Sequence, residues 1–215
     1  MKTFSKRWVL LGNSSESEKI WGVRPIEFPC GYHIPDISYV SDFNPLIIPR
    51  DKTNFCLMAG FAFEVSKSGK HISLEDADTF IRGYRPWSAI FYDYLLDDLR
   101  ERNHTIMVWD RGVSIFYGLW REASQSLGPV VDPQDFSPYA DQSVRLSVDG
   151  IDHPGSSFSQ YKHKPSEIIH FMSQFMTLSP GDIFVLGPLV STYLNPAYYN
   201  TRFSVGDLYH DVELS

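Results

Sequence analysis

Cysteine is nearly absent. Cys30 and Cys56 are the only two in 215 residues, and they carry neither metal-ligand nor redox spacing. The chain therefore reads as a reduced, cytoplasmic protein. Positive charge is also short: 19 Lys and Arg face 26 Asp and Glu, a net charge of −7, with no basic run. A nucleic-acid groove, which needs clustered cations to displace counterions from phosphates, is excluded. No apolar stretch reaches the length of a membrane span, and Met1 to Trp8 lacks the apolar block of a signal peptide. Internal repeats and low-complexity segments are missing as well.

What the chain has in quantity is apolar side chains, 43% of the total, enough for one sizeable core. Residues 1–50 read as an N-terminal strand (Trp8 to Gly12), a loop (Asn13 to Ser17) and a segment whose five prolines, Pro25 to Pro49, exclude long helices. Residues 51–215 form the core of what is expected to be one globular domain. Phe55 to Val65 is almost continuously apolar, the pattern of a strand buried on both faces. A turn at Lys67–Lys70 leads to Ser73-Leu74-Glu75-Asp76, an N-cap with acidic residues in the first turn of a short helix ending near Arg82. Trp87, Ile90, Phe91, Tyr94, Leu95 and Leu99 recur at helical spacing and predict a helix from Pro86 to Arg102. Thr105 to Trp109 and Val113 to Trp120 read as strands, and Leu127 to Tyr139 as a loop.

The most patterned stretch runs from Val144 to Pro188. Val144 to Val148 alternates as a half-buried strand, and Asp149-Gly150 suits a tight turn. A polar segment, His153 to Lys164, precedes a helix opened by Pro165. Ile168, Ile169, Met172, Phe175 and Met176 line one face of that helix, with His170 on the polar side. Ser179-Pro180-Gly181-Asp182 is a turn, and Ile183 to Leu186 a short buried strand closed by Gly187-Pro188.

The runs Val148-Asp149-Gly150, Pro165-Ser166-Glu167-Ile168-Ile169 and Thr177-Leu178-Ser179-Pro180-Gly181-Asp182 through Pro188 resemble the C-terminal core of the fumarylacetoacetate hydrolase family. Ser73 to Ala77, Gly83-Tyr84, Trp120 to Ala123, Leu127-Gly128-Pro129 and Asp132-Pro133 follow the family's landmarks in the same order. The resemblance implies an α+β, mostly β fold: a mixed β-sandwich roll with a few short helices. It also implies three carboxylates holding Mg²⁺ or Mn²⁺, an E-x-E pair on the apolar strand and an Asp after "G-Y". Here those positions fall near Cys56 and Met58 (or Met58 and Gly60) and near Ala89, and no Asp or Glu occurs from Lys52 to Phe63 or between Gly83 and Tyr92. The family's lysine after "W-x-x-A" is Ser124, and its "T-G-T-P" threonines are Leu186 and Pro188.

The expectation is therefore no metal and no cofactor. His33-x-x-Asp36 keeps the spacing of a His/carboxylate dyad found in some members, so His33 and Asp36, with Arg121 and Glu122, are the candidate catalytic residues; the plainer reading of His33–Asp36 is a surface turn. Tyr92, Ser124 and Leu186 are the candidate substrate contacts. Tyr193, Tyr198 and Tyr199 could line a pocket or simply pack locally. The implied function is a metal-independent enzyme acting on a small enol or oxo carbonyl compound by lyase, isomerase or cyclase chemistry. A non-catalytic ligand-binding or structural subunit is the alternative, and a metal-dependent hydrolase the third option. Expected partners are the small carbonyl compound and a second subunit, in a homodimer or a heteromer with a paralogue.

Overall fold

The computed structural model of the protein describes residues 5–23, 27–40, 44–48 and 54–215. Met1–Phe4, Pro25, Pro49 and Lys52, all part of the readings above, lie outside them. Strands β1 (Arg7–Leu10), β2 (Gly31–His33), β3 (Phe55–Val65), β4 (Ile81–Phe91), β5 (Gln125–Leu127) and β8 (Ile183–Leu194) form one six-stranded sheet in the order β2-β1-β8-β3-β4-β5. Strands β6 (Ser143–Val148), β7 (Ile151–Ser157), β9 (Tyr199–Val205) and β10 (Leu208–Leu214) form a second, in the order β10-β9-β6-β7. Among the described strands, β1 and β8 alone pair in parallel. The N-terminal segment is thus built into the same sheet as the core strands rather than set apart from it.

Strand β3 is buried along its whole length because the large sheet is covered on both faces. On one face, Leu57, Phe61, Phe63, Phe184 and Leu186 meet Leu146 and Phe203 of the small sheet, together with Ile168 and Ile169 of helix α6 (Pro165–Phe175). On the other face, Cys56, Met58, Trp87 and Ala89 pack under Trp21 of helix α1 (Ser15–Trp21) and Ile115 and Leu119 of helix α4 (Val108–Leu119). The Asp149-Gly150 turn has φ of 46° and 83° at its two positions, the left-handed pair that a tight hairpin between β6 and β7 requires. The Asp of the Pro-Gly-Asp turn is fully buried. Asp182 accepts from the backbone N–H groups of Ser179 and Lys6, both at 2.8 Å, and pairs with the Lys6 ammonium at 2.8 Å, so it closes its own turn and pins the entry to β1.

Six segments depart from the sequence expectation. Strand β8 does not close at Gly187-Pro188 but runs on to Leu194, and the expected loop from Leu127 to Tyr139 holds helix α5 (Pro133–Phe136). Residues 86–91 are strand, and the helix α3 begins only at Tyr94 (Tyr94–Glu101). Pro86 to Phe91 is buried on both faces, so its continuous apolar run matched a helical stripe as well as a strand. The two strands expected between Thr105 and Trp120 are the single helix α4. Its Val, Ile and aromatic residues favour strands, but Ile115, Gly118 and Leu119 pack it against β4, and the Asp110 carboxylate accepts from the Met107 N–H at 2.7 Å. The loop expected at Asn13–Ser17 opens α1: the Ser14 hydroxyl accepts from the Ser17 N–H at 3.1 Å, and Gly22, with φ of 63°, ends it. The polar segment after Gly150 continues as β7 to Ser157. Within α6, Phe175 is 72% exposed and lies off the buried stripe, and His170 is not idle, since its Nδ1 lies 2.7 Å from the Ile72 carbonyl.

Candidate active site

Residues directly opposite one another across paired strands project to the same face of a sheet. Met58 lies opposite Ala89 on β4 and Ser191 on β8; Cys56 lies opposite Phe91 and Tyr193. Two rows, Ser191–Met58–Ala89 and Tyr193–Cys56–Phe91, therefore run side by side over three strands. The positions that the resemblance gave to the three metal carboxylates are neighbours on this face. Cys56, Met58 and Ala89 are at most 1% exposed.

A hard divalent cation takes oxygen ligands. The three positions offer a thiol, a thioether and a methyl group, roofed by Trp21, Ile115 and Leu119. That donor set does not fit Mg²⁺ or Mn²⁺, and among the described residues no three His, Cys, Asp or Glu side chains are grouped to hold an ion. Burial pushes the Cys56 thiol up to about 12 despite the nearby Ser191 hydroxyl, so it stays protonated.

Polar groups gather at the edge of this face. Ser191 donates to Glu16 Oε1 of α1, and the Lys19 ammonium pairs with the same oxygen at 3.2 Å. Tyr193 stands at the rim, 62% exposed. Burial first, then the neighbouring Cys56, Asp93, Glu16 and Asp97, raise its phenol and hold it protonated. Asp93, just before α3, accepts from the buried Ser114 of α4.

The residues singled out in the sequence are not brought together. His33 ends β2 with an exposed ring set edge-on to Trp8 at 5.6 Å, and its carbonyl accepts from Trp120 Nε1 at 2.9 Å. Asp36 pairs instead with Arg7 at 3.4 Å; no hydrogen bond or ion pair joins it to His33 among the described residues. Arg121 and Glu122 sit in the turn after α4. Ser124 is buried, its hydroxyl donating to the Arg121 carbonyl at 2.8 Å. Tyr92 and Leu186 belong to the core between the sheets, 5% and 0% exposed, because alternate residues of a strand face opposite ways. Tyr92 and Leu186, expected as substrate contacts, thus lie in the other cluster from Cys56, Met58 and Ala89, and Ser124 is bonded to the turn after α4. Of the aromatic candidates, Tyr193 is at the face. Glu16 and Ser191, 175 residues apart, were missed; the capped Ser14–Glu16 start of α1 was the one local signal. A polar groove of about 1090 Å³ lies elsewhere, lined by Arg85, Ser126, Arg202, His210 and others, and includes none of the face residues.

The sequence profile described as "Fumarylacetoacetate (FAA) hydrolase C-terminal" matches residues 8–205. The chain belongs to the fumarylacetoacetate hydrolase family. A mitochondrial oxaloacetate tautomerase of Xenopus laevis is 27% identical over 165 residues, covering 75% of this chain and 48% of that protein. A Pyrococcus abyssi protein is 26% identical over 179 residues, covering 83% of this chain and 75% of its own. The chain thus spans about half the length of the Xenopus relative. Among solved structures, a family protein of Yersinia pestis superposes with a TM-score of 0.79 at 15% identity, covering 100% of this chain and 95% of that one. A Pseudomonas aeruginosa fumarylpyruvate hydrolase in complex with Mn²⁺ and pyruvate gives 0.75 at 19% identity, covering 97% and 88%. At such identities the likeness establishes the fold: the α+β sandwich roll expected from the sequence.

Proposed function

We propose that this family member is an enzyme that rearranges a small enol or oxo carbonyl compound by proton transfer, without a divalent ion. The observation that supports it best is the pairing of opposites on one face: the carboxylate positions are apolar and buried, yet an anchored carboxylate, Glu16, stands beside them with a protonated phenol, Tyr193. Keto–enol rearrangement needs a base for the carbon-bound proton and a hydrogen-bond donor for the carbonyl oxygen. Both roles can be filled from the rim. The similarity to a protein named as an oxaloacetate tautomerase favours chemistry of this type.

The test is turnover of small carbonyl compounds by chelator-treated protein, following enol absorbance or solvent exchange. Activity unchanged by EDTA is expected. Activity that vanishes with EDTA and returns with Mg²⁺ would overturn the proposal. Inactivity against all compounds, with tight association to a carboxylate-bearing paralogue, would make the chain a non-catalytic subunit instead.

A further inference from the structure

Helix α4 is apolar on two opposite sides, and we infer that its outward side is the seam of a two-fold dimer of this chain, in which two copies of α4 pack antiparallel. The inward side, Ser114, Ile115, Gly118 and Leu119, is buried against β4 and roofs the Cys56–Met58–Ala89 face. A helix bordered by water carries polar residues opposite its buried stripe. Here the opposite side carries Trp109, Val113, Phe116, Tyr117 and the C-cap Trp120. The charged residues of α4 are Asp110, which caps its own first turn, and Arg111, which lies beside Gly22 at the end of α1. A helix apolar all round is one that is buried all round.

The spacing of the stripe identifies its cover. Trp109, Val113, Phe116 and Trp120 stand four, three and four residues apart, the alternation of a coiled-coil seam, and the spacing reads the same from either end. Turned end for end about an axis between Val113 and Phe116, a second α4 sets its Trp120 against Trp109 and its Phe116 against Val113. Every contact is then returned, which is the condition of a self-complementary two-fold interface. The rings are already held in place. Phe116 lies 4.0 Å from Trp120 and 5.4 Å from Tyr32, centroid to centroid, and Trp120 Nε1 is tied to the His33 carbonyl at 2.9 Å. Docking therefore freezes little side-chain freedom.

The area is of the right order. Trp109 is 81% exposed, Tyr117 57% and Trp120 38%, with Met107 and Val113 exposed alongside. Aromatic side chains bury roughly 150–250 Å² each, so the stripe offers on the order of 500 Å² of apolar surface. That is more than half of the roughly 800 Å² that each partner brings to a standard interface. A membrane surface is a poorer match. Helices that lie on lipid set Lys and Arg opposite their apolar face, whereas α4 has one cation and its opposite face is taken by β4.

Sedimentation equilibrium of the purified full chain is the test. The wild type should sediment as a dimer that dissociates on dilution through about the micromolar range. Trp109→Lys and Val113→Lys, both at exposed positions, should each weaken the dimer by about thirtyfold or more, because a two-fold axis brings the new charge against its own copy. Phe175→Lys, at a similarly exposed aromatic on α6, should leave it unchanged. Circular dichroism checks that the variants are folded. One measurement needs no variant: hydrogen exchange along α4 in the wild type should slow as concentration rises through the dimerisation range, while that of α6 stays constant. A wild type that remains monomeric up to about 100 μM, with or without binding to phosphatidylcholine–phosphatidylglycerol vesicles, would overturn the inference. So would a dimer that survives both stripe variants, one lost in Phe175→Lys instead, or α4 exchange that ignores concentration.

Discussion

Tyr161 and Gly187 are joined by a hydrogen bond that mends a break in the sheet. The pairing of β3 with β8 shifts register between Ala59 and Ala62, which leaves the Phe61 N–H and the Gly187 carbonyl without ladder partners. The fully buried Tyr161 hydroxyl fills the gap, accepting from Phe61 at 3.1 Å and donating to Gly187 at 2.6 Å. It fits because Gly60 has no side chain: a Cβ there would lie 2.2 Å from the Gly187 oxygen and 2.7 Å from the Tyr161 hydroxyl.

Tyr161→Phe should therefore destabilise the protein by about 1–3 kcal/mol, the penalty for stranding two buried backbone groups. Gly60→Ala should cost at least as much, about 1–3 kcal/mol or more from overpacking. Urea unfolding measures both, and a Tyr161→Phe midpoint equal to wild type would show that the gap is bridged in some other way.

On α6, Ile169→Ala should destabilise by about 2–5 kcal/mol, because the side chain is wholly buried. Phe175→Ala should stay within about 0.5 kcal/mol, since the ring is 72% exposed. Thermal melts of the two variants side by side check the facing of the helix; a larger loss for Phe175→Ala would mean that its aromatic contact with Phe171 is covered in solution.

The two thiols should differ sharply in reactivity. Cys30 is exposed. The Cys56 thiol, pushed up to about 12 by burial, stays protonated and unreactive at any pH below that. Iodoacetamide at mild alkaline pH should label one cysteine in the folded protein and both in denaturant, as counted by mass spectrometry. Labelling of Cys56 without unfolding would show that α1 lifts off the face.

Millimolar Mg²⁺ or Mn²⁺ should leave the melting temperature unchanged. A ligand held only by the folded state raises apparent stability by mass action, and the buried thiol, thioether and methyl group offer no oxygen. A clear rise, abolished by changing a nearby carboxylate, would restore the metal-dependent option.

The parts of this fold legible in the sequence are those where pattern and environment coincide. Phe55 to Val65 can only be a strand buried twice, and Pro165, Asp149-Gly150 and Pro180-Gly181-Asp182 each demand one backbone conformation. Residues 86–91 and 108–119 misled for a physical reason: side-chain type reports burial and bulk, and tertiary packing decided between helix and strand. The missing carboxylates were readable, and strand register then made their positions neighbours. The site's polar edge was not, because Glu16 and Ser191 meet only through the pairing of β1 with β8. His33 and Asp36 had the right spacing along the chain, but Arg7 holds the carboxylate.

That parallel pairing also sets a timetable. Arg7 to Val9 find their partners at Ile183 to Val185, so β1 leaves the ribosome long before β8 and must wait for it before it can dock. Such distant contacts form slowly, whereas β3 and β4, a local antiparallel pair, can associate long before. Helix α1 hangs directly from β1 and settles against β8. The Glu16–Ser191 contact should consequently be among the last to form in each new molecule, and a chain stalled short of β8 would carry a finished β3–β4 hairpin with a bare, sticky Cys56–Met58 face.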